Sequence, residues 1–140
     1  MKYEFEIYDK AIGKARPRFD SRTGRVYIPT TTKKFEEEVK WAFTSKYNIE
    51  LEPSEKPFKS KITAIFEPPK SISKKKMEEL LLSEVYTKKP DSDNIAKIIL
   101  DSLNGLVYKD DAQVCILLAL KKYGTENKVI VELEEIWKIK

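Results

Sequence analysis

The stretch from Pro90 to Gly105 places the strongest constraint on the fold, because it specifies both ends and both faces of one helix. Pro90 precedes it, and Asp91 or Ser92 can serve as its N-cap. Gly105 supplies a left-handed residue that ends it after Asn104. At about 100° per residue its side chains separate onto two sides. The apolar side holds Ile95, Ile98, Ile99 and Ser102, and the polar side holds Asp93, Lys97, Asp101 and Asn104.

Other segments predict strands and helices around this one. Residues 2–8 alternate between apolar and charged side chains, which is the period of a half-buried strand. A helix is predicted to begin at Thr30–Thr32 and to continue to about Tyr47, and residues 61–66 predict a further strand. The core-facing stripe of that helix is predicted to be Phe35, Val39, Ala42 and Phe43.

Two further predictions concern the second half of the chain. Ser73 can cap a short helix whose Met77, Leu80 and Leu81 would face inward. Segments 113–123 and 128–137 favour a hairpin around residues 124–127. Together these elements predict one domain over residues 1–140, of α+β class, built as an α/β sandwich. Its mixed sheet would have about four to five strands, with two main helices packed on it.

Composition narrows the classes of function. Histidine is absent, which excludes Ser-His-Asp and Cys-His nucleophile systems and imidazole metal ligands. The single cysteine, Cys115, lies among apolar residues and is expected to be buried. A secretory or membrane-spanning apolar run is not seen, so the expectation is a cytoplasmic protein without membrane association.

Positive charge is concentrated in one predicted loop, residues 11–23 and just beyond. The net charge is +4, and all four arginines lie within ten positions just after Lys14. They are Arg16, Arg18, Arg22 and Arg25. A cationic loop of this kind favours a polyanionic partner such as nucleic acid.

Carboxylates are concentrated in the stretch that contains the amphipathic helix. Asp91 and Asp93 lie at its start, and Asp110 and Asp111 follow it. Carboxylate oxygens are the ligands that Mg²⁺ and Mn²⁺ prefer. The helix advances roughly 20 Å, and six extended residues would return about the same distance. We therefore expect Asp111 to meet Asp91 and Asp93 at the start of the helix.

Structural roles explain the same residues equally well at this point. Asp91 and Asp93 suit the first turn of any helix, because a carboxylate there interacts favourably with the helix dipole. Lys97 and Asp101 have the spacing of an ordinary ion pair, and Asp110 and Asp111 suit a turn. Spacing alone leaves both interpretations open.

The segment from Lys88 to Val114 resembles the signature of the RusA family of Holliday junction resolvases, especially members carried by phages and prophages of Firmicutes. It has the form PDxDNxxKxxxDxLNGxxxxDDxQ, and Gly13 to Phe19, GKARPRF, resembles the basic loop of that family. The resemblance covers most of the chain. It implies a homodimeric endodeoxyribonuclease that uses Mg²⁺, with Mn²⁺ as a substitute, to cut branched DNA at four-way junctions by paired symmetric cuts during recombination and repair.

The resemblance also implies roles for particular residues. It assigns metal binding and catalysis to Asp91, Asp93 and Asp111, and makes Lys97 the catalytic lysine. Asp110 would shape the turn and Asp101 would orient Lys97. The residues implied to contact DNA are Lys14, Arg16, Arg18, Arg22, Arg25, Lys88 and Lys89. The loop departs from the proline- and asparagine-rich form of the best-known enterobacterial member.

Other functions also fit parts of the sequence. A basic nucleic-acid-binding module without catalysis would use the arginines and lysines, with the aspartates only capping and pairing. A nuclease of the PD-(D/E)xK type is disfavoured, because Glu126 falls in a predicted turn. A structural phage component would make the carboxylate cluster a coincidence.

Overall fold

A computed structural model describes residues 1–47 and 52–139. The elements along the chain are β1 (Lys2–Ile7), β2 (Arg18–Asp20), β3 (Arg25–Tyr27), α1 (Thr30–Lys46), β4 (Phe58–Phe66), α2 (Lys74–Ser83), α3 (Ser92–Ser102), β5 (Val114–Tyr123) and β6 (Lys128–Glu135). Four strands form a mixed sheet in the order β1-β6-β4-β5, in which β4 and β5 are parallel. β2 and β3 form a separate antiparallel hairpin. The predicted α+β class and mixed sheet are confirmed.

The core lies between one face of the sheet and helices α1 and α3. In β1, Tyr3, Phe5 and Ile7 are buried, as their alternation predicts. They meet the stripe of α1, where the ring of Phe43 packs edge-on against those of Tyr3 and Phe5. Phe35 and Val39 complete the buried face of α1. These two helices are the two main helices that the sequence predicts, since α2 has no buried residue.

Helix α3 is held most firmly, because its apolar side is removed from water almost completely. Ile95, Ile98 and Ile99 are 0–1% exposed. The helix begins after Asp91 and ends at Ser102, two residues before the predicted end. Gly105 has φ +80°, the left-handed conformation that the sequence predicts for it. The predicted separation of polar and apolar sides is therefore confirmed, and α3 is a rigid platform for its polar side chains.

The predicted hairpin of the last two strands is wrong. β5 and β6 do not pair with each other, because β4 lies between them and pairs with both. The connection crosses the end of β4, where the Gly124 amide donates to the Phe66 carbonyl at 3.0 Å. A side chain at position 124 would collide with Ile65, since an added Cβ would lie 2.4 Å from Ile65 Cγ2. The short connection between β5 and β6 predicts a turn between paired strands, but the chain instead crosses the end of β4, which lies between them in the sheet.

Two predictions concern the β5 edge of the sheet. Ser73 caps α2 as predicted, accepting a hydrogen bond from the Lys76 amide at 3.2 Å. Met77, Leu80 and Leu81 form the inward face of α2 as predicted, but they are only half-buried, because α2 lies beside the edge strand β5 and not over the core. The prediction that Cys115 is buried is wrong. Cys115, in β5 itself, is exposed. None of the helices in the described ranges is long and apolar enough to span a membrane.

We expect Ile98→Ala to lower the free energy of unfolding by about 2–5 kcal/mol, because it opens a cavity under α3. Urea denaturation measures this change. Ile139→Ala is a matched control, since Ile139 is 67% exposed and its truncation should change stability by about 0.5 kcal/mol or less. Equal effects of the two substitutions would contradict the packing described for α3.

Candidate active site

The start of α3 presents a carboxylate held beside two lysines. Asp91 occupies the N-cap position, but its side chain makes no capping hydrogen bond. Its Oδ1 instead accepts from Lys89 Nζ at 2.8 Å, and this contact holds the pKa of Asp91 below its usual range, with a smaller contribution from Lys121. Asp91 is thus ionised, partly exposed and not used as a cap.

Lys121 fixes this end of α3 to the end of β5. Its Nζ donates to the carbonyl of Lys88 at 2.8 Å and to that of Pro90 at 3.1 Å. No sequence pattern marks Lys121 as a site residue, because both of its contacts are to backbone carbonyls distant in sequence. The consequence for the site is that Asp91 lies beside the last residues of β5.

Asp93 and Lys97 lie one helical turn apart on the exposed side of α3. Within residues 1–47 and 52–139, neither side chain makes a hydrogen bond or an ion pair. The alternative of a Lys97–Asp101 ion pair is therefore not observed. Both charges are available to something outside the chain.

The other end of α3 holds a second polar group. Asn104 Nδ2 donates to Asp101 Oδ1 at 3.1 Å and to Asp111 Oδ1 at 3.4 Å, while its own buried Oδ1 has no hydrogen-bond partner among the described residues. Burial raises the pKa of Asp111, and the neighbouring carboxyls of Asp110 and Asp101 raise it further. Asn104 thus links the carboxylates of Asp101 and Asp111. Its position on the polar side of α3 predicts a polar contact, but not which side chains it contacts.

Asp110 has a structural part in the turn that precedes β5. Its carboxylate accepts from the Ala112 amide at 3.4 Å, and the Gln113 side chain accepts from the Asp110 amide at 3.0 Å. The two residues form a capping box around the short 3₁₀ turn Asp111–Gln113. This reciprocal pairing fixes where Asp111 points.

The expected meeting of Asp111 with Asp91 and Asp93 is not observed. Asp111 contacts Asn104, beyond the end of α3, whereas Asp91 precedes its start, and the helix between them is about 16 Å long. The chain after α3 does not extend back as expected. It forms tight turns, with the Val107 amide bonded to the Leu103 carbonyl and the Gly105 amide to the Tyr108 carbonyl.

The chain has the carboxylate ligands that a divalent metal ion prefers, but its described residues do not bring a complete set of them together. In the part of the chain that the structure describes, no three Asp, Glu, Cys or His side chains are grouped to hold a metal ion. The carboxylates are split between the two ends of α3. The described residues of this chain alone do not form the metal site that the sequence resemblance implies.

The predicted DNA-contacting residues fall into two groups. Lys14 is largely buried, and its Nζ lies 3.0 Å from both Glu36 Oε1 and Asp101 Oδ2. This differs from the predicted DNA contact, and it also pairs Asp101 with Lys14 where Lys97 was expected. The other residues of the prediction are exposed: Arg16, Arg18, Arg22, Arg25, Lys88 and Lys89.

Comparisons with known proteins agree with the resemblance seen in the sequence. A family model described as endodeoxyribonuclease RusA matches residues 10–134. The chain is also 34% identical over 140 residues to the uncharacterized protein YqaN of Bacillus subtilis (strain 168). That alignment covers 95% of this chain and 96% of the relative.

We expect Lys14→Met to lower the free energy of unfolding at pH 7 by about 1–3 kcal/mol, because Asp101 and Glu36 would lose their shared cation. Burial alone would lower the pKa of Lys14, but its hydrogen bonds to Asp101 and Glu36 raise it above 10.5. This stabilisation is complete below the unfolded-state pKa and is lost as the pH rises through the folded-state pKa.

The check is chemical denaturation of wild type and Lys14→Met from pH 7 into the alkaline range. The difference between them should narrow above pH 10.5. Lys89→Met, which removes a highly exposed lysine, is the control and should change stability little. A difference that stays constant with pH would contradict the ion-pair role of Lys14.

Proposed function

This chain belongs to the RusA family of endodeoxyribonucleases, and from that membership we propose that it resolves four-way DNA junctions by paired cuts that require Mg²⁺ or Mn²⁺. The observation that carries the proposal is the polar side of α3. There Asp93 and Lys97 project from a helix whose other side is buried, and within the described ranges neither is engaged by another side chain.

Such an arrangement suits phosphodiester hydrolysis. A rigid helix holds the charged groups in place before the substrate arrives, so little reorganisation is needed during the reaction. Lys97 would offset the negative charge that develops on the phosphate in the transition state. Asp91 and Asp93 would contribute carboxylate ligands for a metal ion, whose Lewis acidity activates the phosphodiester.

The split between the two ends of α3 supports a homodimer. One of the two edges of the sheet is β5, and its sequence from Val114 to Leu120 is entirely apolar. A run of this kind in a strand paired in parallel is normally covered on both faces. Here no residue of β5 before Tyr123 is buried, and Leu117 and Leu118 are 46% and 48% exposed. An apolar edge strand that is left open up to the bridge between Val85 and Lys122 pairs readily with a second copy.

Antiparallel pairing of two β5 strands would complete the split site. Asp111 immediately precedes β5, and Asp91 lies beside its end through Lys121. In an antiparallel pair, the start of each strand faces the end of the other. Asp111 of the partner subunit would then approach Asp91 and Asp93, which gives each dimer two equivalent sites. Two sites related by a twofold axis suit paired symmetric cuts.

The direct test compares cleavage of a labelled four-way junction with cleavage of matched linear duplex, in Mg²⁺, Mn²⁺ or EDTA. Wild type should cut the junction in pairs and should be inactive in EDTA. Asp93→Asn should reduce cleavage about 10²-fold or more while keeping or strengthening DNA binding, because it removes a ligand and a negative charge near phosphate.

Asp9→Asn is the matched control, since it makes the same chemical change at an exposed position outside α3. It should leave cleavage unchanged. Tight binding by wild type without cutting in any metal would instead favour a binding module. Full turnover by Asp93→Asn would remove Asp93 from the site.

Subunit mixing tests whether each site is shared between protomers. Asp93→Asn and Asp111→Asn homodimers should both be inactive. A heterodimer of the two, co-expressed with different tags, should regain one intact site, formed by unmodified Asp91 and Asp93 of one subunit and unmodified Asp111 of the other. It should therefore nick one strand of the junction.

The control is a heterodimer of Asp93→Asn with Asp91→Asn. Both residues belong to the same half of the site, so each of its two sites stays damaged and no activity should return. If Asp93→Asn with Asp111→Asn is equally inactive despite forming a heterodimer, the sites do not span the subunits.

A further inference from the structure

The β2–β3 hairpin has one apolar face that the protein leaves exposed. In its register Arg18 is opposite Tyr27, Phe19 is opposite Val26, and Asp20 is opposite Arg25. Directly opposed residues share a face of a ribbon. Phe19 and Val26 are therefore neighbours on one face, and they are 67% and 68% exposed.

The hairpin is a defined structure, although it lies outside the main sheet. The Asp20 carboxylate accepts from the Arg22 amide at 2.9 Å, and the Gly24 amide donates to the Asp20 carbonyl at 2.8 Å. Gly24 has φ +69°, which a turn of this shape requires and a glycine adopts readily. A two-stranded ribbon gains little by exposing a phenylalanine and a valine to water. An exposed apolar pair on a defined element indicates a contact with another molecule.

The surroundings of the apolar pair fit DNA. Arg16, Arg18 and Arg25 are exposed and, within the described ranges, form no ion pair with an acidic side chain. Arg22 is 91% exposed and has only a weak contact with Asp20 at 3.8 Å. Duplex DNA presents phosphates on its outside and apolar base faces within. By the same register Arg18 and Arg25 project from the other face of the ribbon, so an aromatic side chain suited to a base and arginines suited to phosphates lie on opposite faces of one narrow hairpin.

The segment that leads into the hairpin is hydrogen-bonded to the helix that carries the proposed active site. The Lys14 amide donates to the Asn94 carbonyl at 3.2 Å, in the first turn of α3. Gly13 lies so close to Asn94 that an added Cβ would be 3.0 Å from Asn94 Cβ. Phe19 lies five positions after Lys14, a reach of at most about 17 Å. Because Lys14 is bonded to the helix that carries Asp93, Phe19 lies within about 17 Å of a residue that contacts this helix.

We propose that Phe19, supported by Val26, inserts against an unstacked base where strands exchange in the junction, so that the hairpin distinguishes branched from linear DNA. This inference rests on the proposed function and names how its substrate is selected. In a linear duplex each base already has stacking partners, and inserting a side chain must first separate them. At a branch point that separation costs less, so the same side chain binds there preferentially.

The test compares binding of one junction and one duplex of matched sequence, at the same salt concentration and in Ca²⁺ to prevent cutting. Phe19→Ala should weaken junction binding about 5- to 100-fold, the loss of one stacking contact. It should change duplex binding less than about twofold, because the arginines that contact phosphate remain. Phe19→Trp should restore junction binding, since it restores an aromatic face.

A probe placed in the DNA reports the contact itself. The fluorescence of 2-aminopurine at the crossover should change when wild type or Phe19→Trp binds, and should stay near its free value with saturating Phe19→Ala. Trp41→Ala is the control, because Trp41 is a comparably exposed aromatic residue on α1 and should affect neither measurement. Urea denaturation and size-exclusion chromatography verify that each variant keeps its fold and oligomeric state.

The possible outcomes distinguish a failure of this inference from a failure of the proposed function. Equal weakening of junction and duplex binding by Phe19→Ala would overturn the inference and leave the nuclease proposal standing. A change in oligomeric state would also overturn it, by making Phe19 an intersubunit contact. Wild type that neither selects nor cuts junctions would overturn both.

Discussion

Burial of the isoleucine side of α3 is the interaction on which the rest of the structure depends. Ile95, Ile98 and Ile99 fix the rotation of the helix about its axis. Because the polar residues lie on the opposite side, the same packing determines the direction of Asp93 and Lys97. The loop that carries the arginine hairpin is bonded to the first turn of α3, and Lys121 of β5 is bonded to the chain just before it. The helix thus holds together three parts of the proposed site.

Local signals made α3 predictable from sequence. Its start, its faces and the left-handed Gly105 are all encoded within about fifteen residues. The path after α3 was not predictable in this way. Tyr108 is buried and donates to the Leu100 carbonyl at 2.5 Å, while the Ser54 amide bonds to the Val107 carbonyl. The second contact joins residues more than fifty positions apart, and it keeps the chain near the end of α3, so Asp111 cannot return to its start.

The errors at β5 have a related cause. The short spacing between β5 and β6 predicts a hairpin. The strand order, however, depends on where β4 lies in the sheet, and tertiary contacts decide that position. The sequence correctly predicts a strand for the apolar residues of β5, but its prediction that Cys115 is buried is wrong. The exposure of the β5 residues and the absence of a complete carboxylate set among the described residues are independent observations. The proposed pairing of two β5 edges would account for both.

The two ends of α3 place different electrostatic demands on the chain. Negative charge near the N-terminus of a helix is favoured by the helix dipole, and Asp91 also has Lys89 beside it, so Asp93 needs little further compensation from the protein. Asp101 lies in the last turn, where the same dipole opposes a carboxylate. Lys14 and Asn104 both contact Asp101 there. Lys14 is therefore drawn into the fold, so that Asp101 pairs with Lys14 and not with Lys97, and in the proposed DNA interface the phosphate contacts fall to the arginines of the hairpin.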